Sequence, residues 1–182
     1  MANTTIRENW NPKLQHGENG EADVLEMLHK LYPRAFKIQG NFKFFDIAVP
    51  ELDGLRIEAK RDWKRHITKN FVFEFRNRGK KSGIAISLAH VWTQADRDKI
   101  YFMHLPELKD WLRTNWGWLK STGCIVRGGD DMQSEMVKVR ASTVTSQSWV
   151  CPQVIGKPNI ATLQLFLWEA QKRLPAAESA VK

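Results

Sequence analysis

The sequence predicts an α/β fold, in which amphipathic helices pack against strands. Two segments, 18–32 and 159–174, carry apolar residues at the spacing of a helix with one buried face. Between them lie short runs of alternating apolar and polar residues, separated by Gly, Pro and Asn, which is the pattern of strands and turns. At 182 residues the chain is long enough for one domain with a sizeable core.

The overall composition is that of a soluble globular protein, with 42% hydrophobic and 26% charged residues. No apolar run approaches the roughly 20 residues that a membrane-spanning helix needs, and the polar N-terminal stretch lacks an apolar signal core. We therefore expect a cytoplasmic protein without a membrane partner. Cys124 and Cys151 form no CxxC pair and no cluster with the five histidines, so zinc is not expected.

The first helix is predicted over 18–32, after an irregular arm formed by residues 1–16. Glycines precede the helix and Pro33 ends it. Its buried stripe is formed by Val24, Leu25, Leu28 and Leu31. Glu21 lies one turn before this stripe, on the core-facing side, where an acid also suits the positive end of the helix dipole.

A β-hairpin is predicted over 44–60. Two apolar-rich runs in this segment flank Pro-Glu-Leu-Asp-Gly, which is turn chemistry for a loop of five residues. With a loop of this length Val49 pairs with Leu55, and counting back along both strands places Asp46 opposite Glu58.

Two carboxylates that face each other in a hairpin indicate a site. Opposed side chains in an antiparallel pair lie about 5 Å apart, and like charges there are destabilising. Either a shared proton or a divalent cation must offset the pair of Asp46 and Glu58, and oxygen ligands at this spacing suit Mg²⁺ or Mn²⁺. Lys60 lies two residues beyond Glu58 on the same face, where it would orient a water molecule or meet charge that develops on a phosphate. A hairpin edge with surface charges is the alternative.

A basic block follows the hairpin. Residues 60–81 carry nine Lys or Arg and two acids, which accounts for nearly all of the net charge of +8. Such a block beside a carboxylate pair is typical of a site for a polyanion, and we expect DNA. A solvated loop and strand face is the alternative. The residues expected to contact the DNA are Arg61, Lys64, Arg65, Lys69, Arg78, Lys80, Lys81 and Ser82.

Asp46, followed in a hairpin by Glu58-Ala59-Lys60, resembles the motif of the PD-(D/E)xK nuclease superfamily. The resemblance implies a restriction-endonuclease-like core, in which a central mixed β-sheet is flanked by helices in the order αβββαβ. It also implies an Mg²⁺-dependent endodeoxyribonuclease, for which Mn²⁺ can substitute. The catalytic residues would then be Asp46, Glu58, Lys60 and Glu21. The metal ligands would be Asp46, Glu58, the Ala59 carbonyl and Glu21, with Glu18 as the second candidate from the first helix.

Residues 70–92, NFVFEFRNRGKKSGIAISLAHVW, resemble a block of small phage-type members of the same superfamily. There, a strand that ends in an acid is followed by a basic turn and by a helix that carries an aromatic residue. The matching positions are Glu74, Gly79, Lys80, Ser82, Gly83, Ile84, Ala89 and Trp92. His90-Val91-Trp92 departs from the usual small residue and aromatic pair. The resemblance implies DNA processing in a bacterial cell or a phage-infected host.

The other predicted elements are strands at 35–39, 70–75, 99–104, 135–144 and 147–150, and a helix at 106–114. Glu74 faces away from its neighbours Phe73 and Phe75, so it either approaches the metal site or projects away from it. The favoured interpretation is that it projects toward solvent or pairs with Arg76. Ser82 is expected to cap the following helix. The run Gly79-Lys80-Lys81-Ser82 lacks the first glycine of a P-loop, so nucleotide hydrolysis is not expected.

The chain is expected to divide into an arm (1–16), a nuclease core (17–114), a C-terminal extension that packs on the core (115–175) and a disordered tail (176–182). A homodimer would supply the two sites that paired strand cuts need. One alternative function is a non-catalytic DNA-binding or recombination accessory protein that uses the same basic residues. Another is a structural or assembly protein of a phage particle, in which the charge is incidental.

Overall fold

The computed structural model describes residues 12–40, 42–62, 64–129 and 132–173, with the backbone alone for 12–19. The predictions for the first part of the arm (1–11), for the tail (176–182) and for the side chain of Glu18 lie outside the described residues.

The described residues form ten strands and six helices. The strands are β1 (Phe36–Lys37), β2 (Ile47–Val49), β3 (Leu55–Arg61), β4 (Asn70–Asn77), β5 (Lys80–Lys81), β6 (Val91–Ala95), β7 (Lys99–His104), β8 (Ile125–Gly128), β9 (Ser134–Arg140) and β10 (Val150–Val154). The helices are α1 (Pro12–His29), α2 (Arg65–Thr68), α3 (Leu105–Thr114), α4 (Trp116–Ser121), α5 (Ala141–Thr145) and α6 (Ile160–Lys172). Two 3₁₀ turns, Pro50–Leu52 and Gly83–Ala85, lie after β2 and before β6.

The central layer is a mixed sheet of six strands in the order β1-β2-β3-β6-β7-β10. Strands β3 and β6 run parallel, and the other neighbouring strands run antiparallel. Helices α1 and α6 cover one face of this sheet. The predicted α/β class, with a mixed sheet flanked by helices, is therefore confirmed. Among the described residues, no helix is long and apolar enough to cross a membrane.

Alternation along β3 divides its side chains between the two faces of the sheet. Leu55, Ile57 and Ala59 are buried in the cluster under α1 and α6, together with Val24 and Leu28 of α1. Each fully buried side chain of this size contributes about 1.5–3 kcal/mol to folding. Because one face of β3 is fixed in this core, its charged residues must project from the opposite face.

A second sheet covers that opposite face. Its strand order is β5-β4-β9-β8, and all of its pairs are antiparallel. Phe71 and Phe73 of β4 pack edge-on against Tyr101 and Trp92 of the six-stranded sheet. Strands β8 and β9 belong to this sheet, and β10 is the last strand of the other one. Residues after 115 therefore complete both layers.

The hairpin register is confirmed, since Val49 pairs with Leu55 and Ile47 with Ile57. The loop closes through Asp53 and Gly54, whose φ angles of 51° and 74° lie in the left-handed region that such a turn needs. The elements predicted at 99–104, 106–114 and 159–174 are present as β7, α3 and α6. The side chain of Asn159 caps α6 by accepting a hydrogen bond from the Thr162 N–H at 3.1 Å.

The predicted bounds of the first helix are wrong. Helix α1 begins at Pro12, six residues before the predicted start, and ends at His29. Residues 12–16 are therefore helical rather than part of an irregular arm. A Cβ atom at Gly20 would lie 2.8 Å from Cβ of Arg61, so this glycine allows α1 to approach β3 closely and is a packing residue inside the helix.

The helix predicted after Ser82-Gly83 is also wrong. A 3₁₀ turn of three residues stands there, and an irregular segment then leads to β6. A tertiary hydrogen bond holds this segment, since the N–H of Leu88 donates to the carbonyl oxygen of Phe44 at 2.9 Å. The cap predicted for Ser82 is absent, because its side chain makes no capping hydrogen bond.

Three predicted strands differ from the structure. The strand at 70–75 exists as β4, but it belongs to the second sheet and not to the central one. The strand predicted at 135–144 ends at Arg140, where α5 begins, and the one predicted at 147–150 is replaced by β10, which starts at Val150. These pairings join residues far apart in sequence, so no local pattern indicates which strands are neighbours.

Candidate functional site

The hairpin brings Asp46, Glu58 and Lys60 together, as predicted. Asp46 directly precedes β2, and its N–H donates to the carbonyl oxygen of Ile57 at 2.9 Å. Lys60 Nζ lies 2.6 Å from Glu58 Oε1 and 3.8 Å from Asp46 Oδ2. The N–H of Ala59 donates to Asp46 Oδ2 at 2.8 Å, which fixes the orientation of that carboxylate. The contribution predicted for the Ala59 carbonyl stays a prediction.

Glu58 is the most buried member of this group, with 5% of its surface exposed. Burial raises the pKa of Glu58, and the neighbouring charge of Asp46 raises it further, against the opposing effect of the Lys60 ammonium. Burial by itself lowers the pKa of Lys60, but the Glu58 and Asp46 carboxylates outweigh it, so that the pKa is raised. The charged form of Glu58 therefore depends on a nearby cation.

Ser87, in the segment between β5 and β6, lies within hydrogen-bonding distance of Glu58. Its hydroxyl lies 3.3 Å from Glu58 Oε2 and 3.1 Å from the carbonyl oxygen of Phe44, and it can donate its one hydrogen to either. The ammonium of Lys109 donates to the Ser87 carbonyl at 2.8 Å. Burial lowers the pKa of Lys109, and the charge of Arg113 adds to this effect. Neither Ser87 nor Lys109 could be found from the sequence, since nothing local links them to the hairpin.

A cleft of about 550 Å³ opens above the carboxylates. It lies between the two sheets, because β3 and β6 line one wall and β4 and β9 line the other. The side chains that line it include Phe42, Lys43, Asp46, Glu58, Lys60, Arg61, Asp62, Val72, Glu74, Ile86, Trp92, Gln94 and Met136. The hairpin site is therefore accessible from a groove and does not lie on a flat surface.

Two further polar side chains lie in this cleft on the neighbouring strand. The parallel register pairs Glu58 with Trp92 and Lys60 with Gln94. Trp92 and Gln94 are only 2% and 3% exposed. Within the described part of the chain, Trp92 Nε1 and Gln94 Oε1 have no hydrogen-bond partner. The sequence singled out Trp92 only as a position of the phage-type block and Gln94 not at all, because only the pairing of β3 with β6 places them beside the motif.

Glu74 also lines the cleft, so of the two predicted orientations the structure shows the one toward the site. Arg76, its expected partner, instead lies 3.8 Å from Glu135. Gly83 packs directly against Glu74, since a Cβ atom at position 83 would lie 2.5 Å from the Glu74 carbonyl oxygen. With a φ of +50°, Gly83 combines a left-handed conformation with a contact that leaves no room for a side chain.

Glu21 lies near the site but makes a different contact. Its Oε2 is 2.5 Å from Lys37 Nζ, while its charge helps to raise the pKa of Lys60. Within the described ranges, no group of three or more His, Cys, Asp and Glu side chains is arranged to hold a metal ion. Glu21 as a metal ligand therefore stays a prediction.

The donor set at the hairpin fits a hard divalent cation. Mg²⁺ is usually bound in proteins through one or two carboxylates, and waters and phosphate oxygens complete its coordination. Asp46 and Glu58 supply two such carboxylates at the wall of an open cleft. The buried position of Glu58 favours a cationic partner, because its anionic form is poorly solvated there.

The residues predicted to contact DNA differ in their exposure. Arg65 is buried and paired with Asp96, and its guanidinium stacks over the rings of Tyr101 and Phe71 at 3.8 and 4.7 Å, so it stabilises the core. Arg61 lines the cleft and pairs with Asp23 at 2.9 Å. The exposed members are Lys64, Lys69, Arg78, Lys80 and Lys81, and Ser82 is half-buried.

The chain has no significant match among protein-family models, curated proteins or solved structures. Its function is therefore inferred from the geometry of this site.

Proposed function

We propose that the protein is a metal-dependent endodeoxyribonuclease, which hydrolyses DNA phosphodiester bonds with Mg²⁺, or with Mn²⁺ as a substitute. One observation carries the proposal: Asp46 and Glu58 line the same cleft, and the Lys60 ammonium lies 3.8 Å from the Asp46 carboxylate and 2.6 Å from the Glu58 carboxylate. Two acids that can hold a divalent cation, with a lysine beside them, can support phosphodiester hydrolysis.

The order of the elements supports the resemblance to the PD-(D/E)xK superfamily. Helix α1 precedes the antiparallel strands β1, β2 and β3, and β6 then pairs in parallel with β3. This succession is similar to the αβββαβ order, with one difference. The segment between β3 and β6 contains α2, β4 and β5, where the superfamily order has a single helix.

Each residue of the site would have its own chemical role. Asp46 and Glu58 would hold the cation, and the Ala59 N–H and the Ser87 hydroxyl keep their carboxylates in place. When bound, the cation supplies Lewis acidity, which neutralises charge on the phosphate and acidifies a water molecule. Lys60 would donate hydrogen bonds to phosphate oxygens, whose negative charge grows as water adds to phosphorus and the ester bond breaks.

The basic residues around the cleft would hold the DNA backbone. Lys43 and Arg61 line the cleft itself, and Lys64, Lys80 and Lys81 are exposed on the segments that follow the hairpin. Contacts of this kind are electrostatic and carry little sequence preference. Affinity should therefore fall steeply as the salt concentration rises.

The test is incubation of supercoiled plasmid and of branched DNA with the protein in Mg²⁺, in Mn²⁺ and in EDTA. Wild-type protein should nick or cut at least one substrate with either metal and neither in EDTA. Glu58→Gln and Lys60→Ala should lose at least about 100-fold in rate, as loss of an electrostatic catalytic group usually costs. Lys157→Ala is the matched control, because Lys157 is exposed and lies far along the chain, in the turn before α6.

Two outcomes would overturn the proposal. One is the absence of cleavage by the wild-type protein on both substrates with both metals. The other is cleavage that Glu58→Gln and Lys60→Ala leave unchanged, which would point to a contaminating nuclease. Binding of DNA without cleavage would support the non-catalytic DNA-binding or recombination accessory protein instead.

A further inference from the structure

The cleft extends beyond the carboxylates to a floor with unmet hydrogen-bonding capacity. Trp92 Nε1 is a donor and Gln94 Oε1 is an acceptor, and both are buried without a partner among the described residues. Buried polar atoms in native proteins are nearly always paired with protein, water or a ligand. This part of the cleft therefore suits a ligand that offers an acceptor to the Trp92 N–H and a donor to the Gln94 oxygen.

Beside its charged side chains, the cleft also has apolar lining residues and one exposed aromatic ring. Val72, Ile86 and Met136 line the walls. Phe42 lies at the rim with 44% of its surface exposed, and edge-to-face contacts with Phe44 at 5.4 Å and with Phe45 at 4.9 Å support its ring. An exposed, supported aromatic ring beside a basic groove is a platform on which a planar group can stack.

The aromatic rim is tied to the carboxylate site. The carbonyl oxygen of Phe44 accepts from the N–H of Leu88 at 2.9 Å and lies 3.1 Å from the Ser87 hydroxyl, which in turn lies 3.3 Å from Glu58 Oε2. Lys43, the neighbour of Phe42 and Phe44, lines the same cleft and adds positive charge. The stacking position and the phosphate position are thus parts of one groove.

We propose that this cleft receives an unpaired nucleobase next to the phosphate that is cut, so that the substrate is DNA with single-stranded or unpaired nucleotides. A base offers a flat face for Phe42 and a polar edge for Trp92 and Gln94. In a continuous duplex the face of each base is stacked on its neighbours and its polar edge is base-paired, so neither is available to the protein. This inference rests on the proposed function, because it names the substrate class of the same site.

The experiment measures binding in EDTA, where no cleavage occurs. A fluorescein-labelled oligonucleotide is titrated as a single strand and as the blunt duplex with its complement, at one fixed salt concentration, by fluorescence anisotropy. The wild-type protein should bind the single strand at least about tenfold more tightly. Phe42→Ala should weaken single-strand binding at least about fivefold, as loss of one stacked base usually does, and should leave duplex binding unchanged.

Three further variants separate a contact with the base from a structural role. Phe42→Tyr retains the ring and should bind like wild type. Phe36→Ala is the matched control, since Phe36 is 49% exposed on β1 and does not line the cleft. Gln94→Met removes the unpaired acceptor and gives up one hydrogen bond, a long one of 3.4 Å to the Val72 carbonyl. It should therefore unfold at the same temperature as wild type or higher, yet bind the single strand more weakly.

Equal affinity for both DNA forms, or a Phe42→Ala variant that binds like Phe36→Ala, would overturn the inference. Cleavage of plasmid together with that result would leave the proposed nuclease activity standing. If the protein prefers the single strand but never cuts DNA, the proposed nuclease activity would be overturned, and the binding of an unpaired base in the cleft would still stand. Failure to bind either form would overturn the inference, and the cleavage assay would still decide the nuclease activity.

Discussion

Lys60 and Glu58 form a close ion pair, in which the ammonium lies 2.6 Å from Oε1 of a buried carboxylate. The same ammonium lies 3.8 Å from Asp46 Oδ2, so one cation serves two carboxylates. Because burial raises the pKa of Glu58, its anionic form needs this positive charge. The stability of the protein should therefore respond to any change in the cations at this position.

Lys60→Ala should lower the free energy of unfolding in EDTA by about 1–2 kcal/mol. The loss is smaller than the 3–5 kcal/mol of a fully buried pair, because the Lys60 side chain is 43% exposed and water screens it. Removing the ammonium also leaves two carboxylates with no shared cation. Mg²⁺ should therefore raise the melting temperature of Lys60→Ala more than that of the wild-type protein.

Urea unfolding in EDTA and thermal unfolding with increasing Mg²⁺ measure these two effects. Glu58→Gln in the Lys60→Ala background is the control, since it removes one of the two carboxylates and should abolish most of the Mg²⁺ response. An equal response of both proteins to Mg²⁺ would show that the cation binds elsewhere.

Arg65 and Lys64 are adjacent in sequence but should behave differently when replaced. Arg65→Ala leaves the buried carboxylate of Asp96 without its partner and removes the guanidinium from the Tyr101 ring, so it should cost about 3–5 kcal/mol in unfolding free energy. Lys64→Ala changes an exposed side chain and should cost less than about 0.5 kcal/mol. Its effect should appear in weaker, less salt-dependent DNA binding.

Chemical denaturation and binding at several salt concentrations distinguish the two roles. If Arg65→Ala unfolds like the wild-type protein and loses only DNA affinity, the structural assignment of Arg65 is wrong.

The parts of the site that lie close in sequence could be predicted, and those joined by distant strands could not. The five-residue turn fixes the register of the hairpin, so the proximity of Asp46 to Glu58 follows from local chemistry. Trp92 and Gln94 reach the site through the parallel pairing of β3 with β6, which spans more than thirty residues. Strand β6 is buried on both faces, so it lacks the alternation that identifies a half-exposed strand.

The basic block shows a second limit of sequence patterns. Arg65 belongs to a run of Lys and Arg residues whose pattern predicts a continuous phosphate-binding surface. Its burial depends on Asp96, which lies 31 residues away at the end of β6. Gly20 is a similar case, because its closeness to Arg61 is a property of how α1 packs on β3 and not of the helix sequence.

Gly83→Ala should destabilise the protein by roughly 2–4 kcal/mol. The added Cβ would lie 2.5 Å from the backbone carbonyl oxygen of Glu74, which cannot move without shifting β4, and the φ of +50° adds strain for any L side chain. Gly79→Ala is the matched control, because Gly79 has a φ of +75° with nothing within 4 Å of the added atom. It should cost only about 1 kcal/mol. Equal losses in urea unfolding would show that the contact with Glu74 is unimportant.

His104 should make the protein less stable as the pH falls below about 6.5. Its ring stacks on Phe166, Nε2 lies 3.2 Å from the Phe166 carbonyl oxygen, and Arg173 Nη1 donates to Nδ1 at 2.9 Å, so the network fits the neutral ring with its hydrogen on Nε2. Burial lowers the pKa of His104, and the charge of Arg173 lowers it further, against the hydrogen bond to Phe166 and the charge of Glu169. Between about pH 6.5 and the lowered pKa, His104 is therefore protonated in the unfolded chain and neutral in the folded chain. As the pH falls through this range, the free energy of unfolding decreases by at most about 1.4 kcal/mol per pH unit. His104→Gln should reduce this slope in urea unfolding between pH 7 and pH 5. An unchanged slope in His104→Gln would place the acid sensitivity in other groups.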